Sequence, residues 1–208
     1  MLRALLLAVL LWGGPPGRRQ GSYSASAAKW INSFAGPFIP VMGPFTDCLD
    51  NKSEDLVKLN VKVSQHRNRQ IDSQTQLQKI TGNVTVAMPL TNKGWMYLKA
   101  ASRSNNQWKD NAHILKFTNG MCRATAENMP GFVRSIYKLD PEKLLKSPCV
   151  IPPGVYLADE TPVNFTVPRL PIFQYGTWRT EIGYNLGTEA KPRNIMCFMT
   201  DIYTVPKL

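Results

Sequence analysis

The sequence predicts a mainly β, antiparallel, disulfide-bonded domain with one short helical segment. Three observations predict it. Val57, Leu59, Val61 and Val63 alternate with Lys58, Asn60, Lys62 and Ser64, the period-two pattern of a strand with one wet face. Sixteen Pro and fourteen Gly among 208 residues break the chain into short segments joined by turns, which argues against a helical bundle. Only residues 123–145 space their apolar side chains as a helix does.

Taken in chain order, the first segment is not structural. A basic start at Arg3 precedes an uninterrupted apolar run over residues 4–12, which Gly13, Gly14, Pro15, Pro16 and Gly17 then break. The run is too short to span a bilayer, which takes about 20 residues, and it suits a secretory signal peptide over residues 1–17. Cleavage falls between 17 and 27, because Ala25-Ser26-Ala27 offers a second small-x-small site. A lead segment, 18–44, follows, and the domain occupies 45–208. The expected compartment is extracellular, or the lysosomal lumen.

Secretion reinterprets the charge. The chain carries 25 Lys and Arg against 14 Asp and Glu, net +11, and cleavage removes either Arg3 alone or Arg3, Arg18 and Arg19. Outside the cytosol nucleic acid is not the expected partner; an anionic membrane surface or a glycan is. Lys62, His66, Arg67 and Arg69 form the densest basic cluster. Asn51, Asn83 and Asn164 each open an N-x-S/T sequon, so a glycoprotein is expected.

Four cysteines, Cys48, Cys122, Cys149 and Cys197, imply two disulfides in an oxidising compartment, with three connectivities open. Without a C-x-x-C pair they do not read as a zinc site, and two His exclude a multi-histidine metal site. No metal and no cofactor are expected.

Past the first strand, Ile80, Val84, Val86 and Met88 share one face, with Asn83 on the other. Pro89 ends that strand, and 91–94 read as a turn into a second strand, 95–100, with Met96, Leu98 and Ala100 on one side. These two segments read as an antiparallel hairpin. A short strand is expected over 113–117. Phe132, Val133, Ile136 and Tyr137 recur at helical spacing, and Asp140-Pro141-Glu142 opens a second helical turn. Strands are then expected at 154–157, 164–167, 178–186 and 195–205, giving six to eight in all.

The segment from Pro148 to Leu157 (PCVIPPGVYL), the run Asn164 to Pro171 (NFTVPRLP), the strand Gly176 to Glu181 (GTWRTE) and Cys197 together resemble the ganglioside-activator, or ML-type, lipid-recognition superfamily. Thr81 to Val86 resembles its early strand and sequon. The stretch through Lys116, Phe117, Cys122, Ile136 and Tyr137 is most similar to the related arthropod secreted families, among them the insect chemosensory CheA-like proteins. The resemblance implies a β-cup that leaves an apolar cavity for acyl chains. It also implies a first-to-last bridge, Cys48–Cys197, which leaves Cys122 to pair with Cys149.

The expected function is therefore lipid binding or lipid presentation, with a chemosensory role if the source is an arthropod. The alternative is a protein-interaction or co-receptor subunit with a filled core, engaging a protein receptor. Candidate ligand-binding residues are Val84, Val86, Met88, Met96, Leu98, Ile182 and Tyr184 on inward faces, or else ordinary packed core. Ile172, Phe173 and Tyr175 join them in an unusually apolar loop, read as the rim of the cup or as packing against the helical segment. The sequence contains no G-x-S-x-G or H-E-x-x-H motif, and neither His66 nor His113 has a nucleophile beside it in sequence, so no enzyme is expected.

Overall fold

A computed structural model describes residues 34–48, 53–65, 77–146 and 148–207. Its strands are β1 (Ala35–Gly36), β2 (Phe38–Asp47), β3 (Val57–Val63), β4 (Leu77–Val86), β5 (Gly94–Ser104) and β6 (Gln107–Phe117). Helices α1 (Met121–Asn128), α2 (Pro130–Ser135) and α3 (Pro141–Lys146) follow, then β7 (Gly154–Asn164), β8 (Phe173–Gln174), β9 (Gly176–Leu186) and β10 (Arg193–Pro206). The domain is mainly β and antiparallel, as the alternation predicts.

Two sheets carry the architecture. One has five strands in the order β2-β10-β9-β5-β6, the other three in the order β3-β4-β7, and β1 pairs with β8 in a small two-stranded piece. Their inner faces share one core, with Ile80, Val84 and Val86 from β4 and Met96, Ile182 and Tyr184 from the larger sheet. The sheets meet where β3 runs beside β2 and β10; away from that edge α1 leans on β5 and α2 on β7.

Both disulfides are present, Cys48–Cys197 and Cys122–Cys149. The second ties α1 to the chain just beyond α3.

Five expectations are corrected. The segments 80–88 and 95–100 are not a hairpin, because β4 and β5 belong to different sheets. The connection after Pro89 crosses between layers, pinned by backbone hydrogen bonds in both directions between Leu90 and Ile151. The true hairpin is β5–β6, turned at Asn105 and Asn106, both with φ near +55° (50° and 61°), a conformation asparagine tolerates. Strand β6 therefore begins at Gln107, six residues before the expected start. The domain also reaches back beyond residue 45: β1 and most of β2 lie in what the sequence assigns to the lead segment, and β2 pairs with β10 along most of its length. Pro40, Gly43 and Pro44 hide its alternation. Finally, Asn164 ends β7 rather than opening a strand, and the count among the described residues is ten strands; the three short helices all fall within or beside the expected helical segment, 123–145.

One glycine in β4 is required by close approach. Gly82 has φ +132°, and a Cβ there would run into the carbonyl oxygen of Asn60 on β3. It sits at the register shift between Ile80 and Gly82 against β7, so the sheet bends where only glycine fits.

Candidate functional site

An apolar cavity of about 350 Å³ opens against the inner face of the five-stranded sheet. The pairing builds its floor in rows. Leu115, Leu98, Ile182 and Phe198 lie opposite one another across β6, β5, β9 and β10, and Phe117, Met96, Tyr184 and Met196 form the next row. Met96, Leu98, Leu115, Phe117 and Ile182 line the cavity. The facing wall comes from no strand. It is the C-terminal end of α1 (Glu127, Asn128) with Met129, and the segment after β7 that carries Phe165, Val167, Arg169 and Leu170.

The expected ligand residues therefore separate into three groups. Met96, Leu98 and Ile182 line the cavity. Tyr184 borders a neighbouring void of about 30 Å³ that shares Met42, Met129, Phe165 and Ile182 with it. Val84 and Val86 are fully packed on the opposite sheet and Met88 lies against the same core, none of them lining the cavity.

The loop residues are used differently again. Phe173 stacks among Phe38, His113 and Trp178, with ring centroids 5.7, 5.0 and 4.9 Å away. Tyr175 donates its hydroxyl to Pro37 O at 3.2 Å, and its backbone N–H to Phe34 O. Both residues anchor the N-terminal strand instead of packing on a helix. Ile172 stands exposed and outside the cavity lining. His113 is accounted for as an aromatic partner of Phe173 and Trp178.

Asn51, His66, Arg67, Arg69 and the expected cleavage region lie outside the described residues. Of the remaining sequons, Asn164 is exposed and Asn83 is half-buried on the outer face of the smaller sheet, across from the exposed Leu157. The Sγ atoms of Cys48 and Cys197 and the Glu181 carboxylate lie within 4.8 Å of one another, but the sulfurs are spent in the disulfide and offer no thiolate to a metal.

Sequence reasoning missed the far wall. Its one signal was Glu127, an acid on a short helix otherwise flanked by buried positions: the Glu127 side chain is 7% exposed and bonded to Arg169 at 2.9 Å. A larger groove of about 520 Å³ runs between β2 and β3, but Asp47, Asp55, Lys58, Asn60 and Lys62 line it. That mixed and open lining selects no single ligand chemistry.

Beneath the cavity the chain buries phenols. Thr125 Oγ1 donates to Met121 O at 2.8 Å, so Tyr184 supplies the hydrogen of the 2.7 Å bond between the two hydroxyls. Burial pushes Tyr184 up to about 12 and holds Tyr137 well above the ordinary tyrosine range. The unfolded chain ionises these phenols near pH 10. Their stabilisation is thus complete below pH 10 and is lost as pH rises towards the folded value. Between pH 10 and 12, Tyr184 alone should cost about 3 kcal/mol of unfolding free energy, at 1.36 kcal/mol per unit. Urea titrations at pH 10 and pH 12 check this, and Tyr184→Phe should flatten the slope.

No family model matches the chain, and no curated protein matches it. The geometry alone therefore carries the chemistry: an apolar chamber with a few polar groups gathered on one wall, the form of a small-molecule binding site.

Proposed function

We propose that this chain is a secreted carrier that holds one small apolar molecule in the cavity between its five-stranded sheet and the α1/165–170 wall. The observation that supports the reading is the cavity itself. Protein interiors are packed to crystal-like density, whereas about 350 Å³ beside this sheet is left as an open, mostly apolar recess whose side chains meet water unless a ligand covers them. A ligand would gain about 25 cal/mol for each Å² of apolar surface it buried there. Two disulfides suit an oxidising compartment, and among the described residues no helix is long and apolar enough to cross a membrane. The likeness to ML-type lipid-recognition proteins points the same way.

Surface charge is the weaker lead. The outer face of the larger sheet holds four cation–π contacts, Lys99 on Tyr97, Lys116 on Trp95, and Arg103 and Arg179 on Trp108. But Lys99, Lys116 and Arg179 are already paired with Glu181, Glu189 and Asp201, so on this face their charge is locally balanced.

The test is native mass spectrometry of protein purified from secreting cells, with Leu98→Trp as the blocked control. Co-purified apolar ligand is expected in the wild type, with uptake lowered at least tenfold in Leu98→Trp while the Tm stays within a few degrees. No ligand and no uptake by the wild type would favour the protein-interaction subunit instead.

A further inference from the structure

The polar groups of the cavity narrow the ligand further, on the premise that the cavity is a ligand site. Four polar side chains line it: Asn119, Glu127, Asn128 and Arg169. Glu127 organises them. Arg169 Nη2 lies 2.9 Å from Glu127 Oε1, Asn119 Nδ2 donates to Glu127 Oε2 at 3.1 Å, and Arg123 Nη1 stands 4.0 Å from Oε1. With its side chain 7% exposed, Glu127 has little water to solvate its charge, and Arg169 is the counter-charge it needs. An anionic head group would have to share Arg169 with that carboxylate. It would face a fixed negative charge there and weaken the closest contact of a carboxylate otherwise held by Asn119 and the more distant Arg123.

The two amides point in the same direction for a separate reason. Each Nδ2 already donates within the protein, Asn119 to Glu127 and Asn128 to Ala124 O at 2.8 Å. What remains on each is a carbonyl oxygen, which accepts no hydrogen bond among the described residues. Asn128 is 8% exposed as a residue, but its Oδ1 is not a buried unpaired atom, so it meets the water of the cavity it lines. Closing a ligand over that acceptor strips its water, which favours a ligand that brings a donor. Size adds a third limit: about 350 Å³ lies low in the range of about 300–1,000 Å³ for small-molecule sites, room for one chain and not for a multi-acyl lipid.

We propose that the cavity selects a neutral, single-chain apolar molecule ending in a hydroxyl, a long-chain alcohol in chemical class, whose O–H donates to Asn128 Oδ1. It discriminates against the carboxylate of the same length.

Calorimetric titration of the full secreted chain with decan-1-ol, decanoate and decane at pH 7.5 tests this. Decanol is expected to bind at least tenfold more tightly than decanoate. Glu127→Gln, which releases Arg169, should shrink that ratio about tenfold, and Asn128→Leu should weaken decanol about tenfold while sparing decane. Decanoate binding as tightly as decanol to the wild type overturns the inference and leaves the carrier reading standing. So does an unchanged ratio in a folded Glu127→Gln protein; if that variant does not fold, an unchanged decanol affinity in Asn128→Leu is the overturning result. Binding of none of the three ligands overturns the carrier reading itself.

Discussion

Replacing Cys48 and Cys197 together by Ser is expected to lower the unfolding free energy by about 5 kcal/mol, against about 3.5 kcal/mol for the Cys122/Cys149 pair. The order follows from loop length. The first bridge closes a separation of 149 residues and the second one of 27, and the unfolded chain loses more freedom in the longer loop. The native state has little need of the first bridge for position. Cys48 directly follows β2 and Cys197 lies within β10, two strands already paired from Phe38–Pro206 to Asp47–Phe198. The loss should therefore fall mostly on the unfolded ensemble. It should appear as a larger denaturant m-value, because the open chain exposes more surface, together with a lower midpoint. With domain stabilities of about 5–15 kcal/mol, the variant should sit near the edge of folding. An unchanged m-value with native-like midpoint would show that β2–β10 pairing, not the loop constraint, holds the ends.

What the sequence displayed and what it hid follow from solvent exposure. Strand β3 is legible because its outward Lys58, Asn60 and Lys62 face water while Val57, Val61 and Val63 are buried. Strand β9 shows a weaker form of the contrast over Trp178 to Ile182, while Ile195 to Phe198 of β10 are buried in succession. Strand β6 has no such contrast along its first half, since as the free edge of its sheet it is exposed on both faces from Lys109 to Ala112. Strand β2 is buried over Phe38, Ile39 and Pro40 in succession, and its two prolines read as a linker. Which sheet a strand joins is a long-range choice, so β4 and β5 look like neighbours in sequence and are not. The cavity divides along the same line. Met96, Leu98 and Ile182 announce themselves by alternation. Asn128 on α1 and Phe165, Arg169 and Leu170 after β7 reach the cavity from segments far apart in sequence, and only the fold brings them together.

One polar residue on the inward face of β4 is found only in the structure. Gln78 extends the inward face of Ile80, Val84 and Val86 by one step, where an apolar side chain is expected, and it is 3% exposed. Its Oε1 accepts from Met42 N at 2.7 Å, and its Nε2 donates to Met42 O at 2.9 Å and Ser64 O at 3.1 Å. The amide thus serves the free edge of β2 as a neighbouring strand would, and it fastens the two sheets to each other. Gln78→Leu keeps the bulk but leaves Met42 N–H and two carbonyls without partners. At about 1–3 kcal/mol for each buried group left unpaired, with some water entry, the expected loss in urea unfolding is about 3–4 kcal/mol. Gln78→Glu is the sharper variant. It has nearly the same shape, yet at neutral pH it offers an acceptor and a charge where two carbonyls need a donor, so it should fold less stably than Gln78→Leu and recover as acid protonates it. Met42 also lines the cavity, so loosening it should speed ligand release in both variants. A Gln78→Leu protein within 1 kcal/mol of wild type, releasing ligand at the wild-type rate, would mean that β2 is held by β10 alone and that the sheets are joined only by their core.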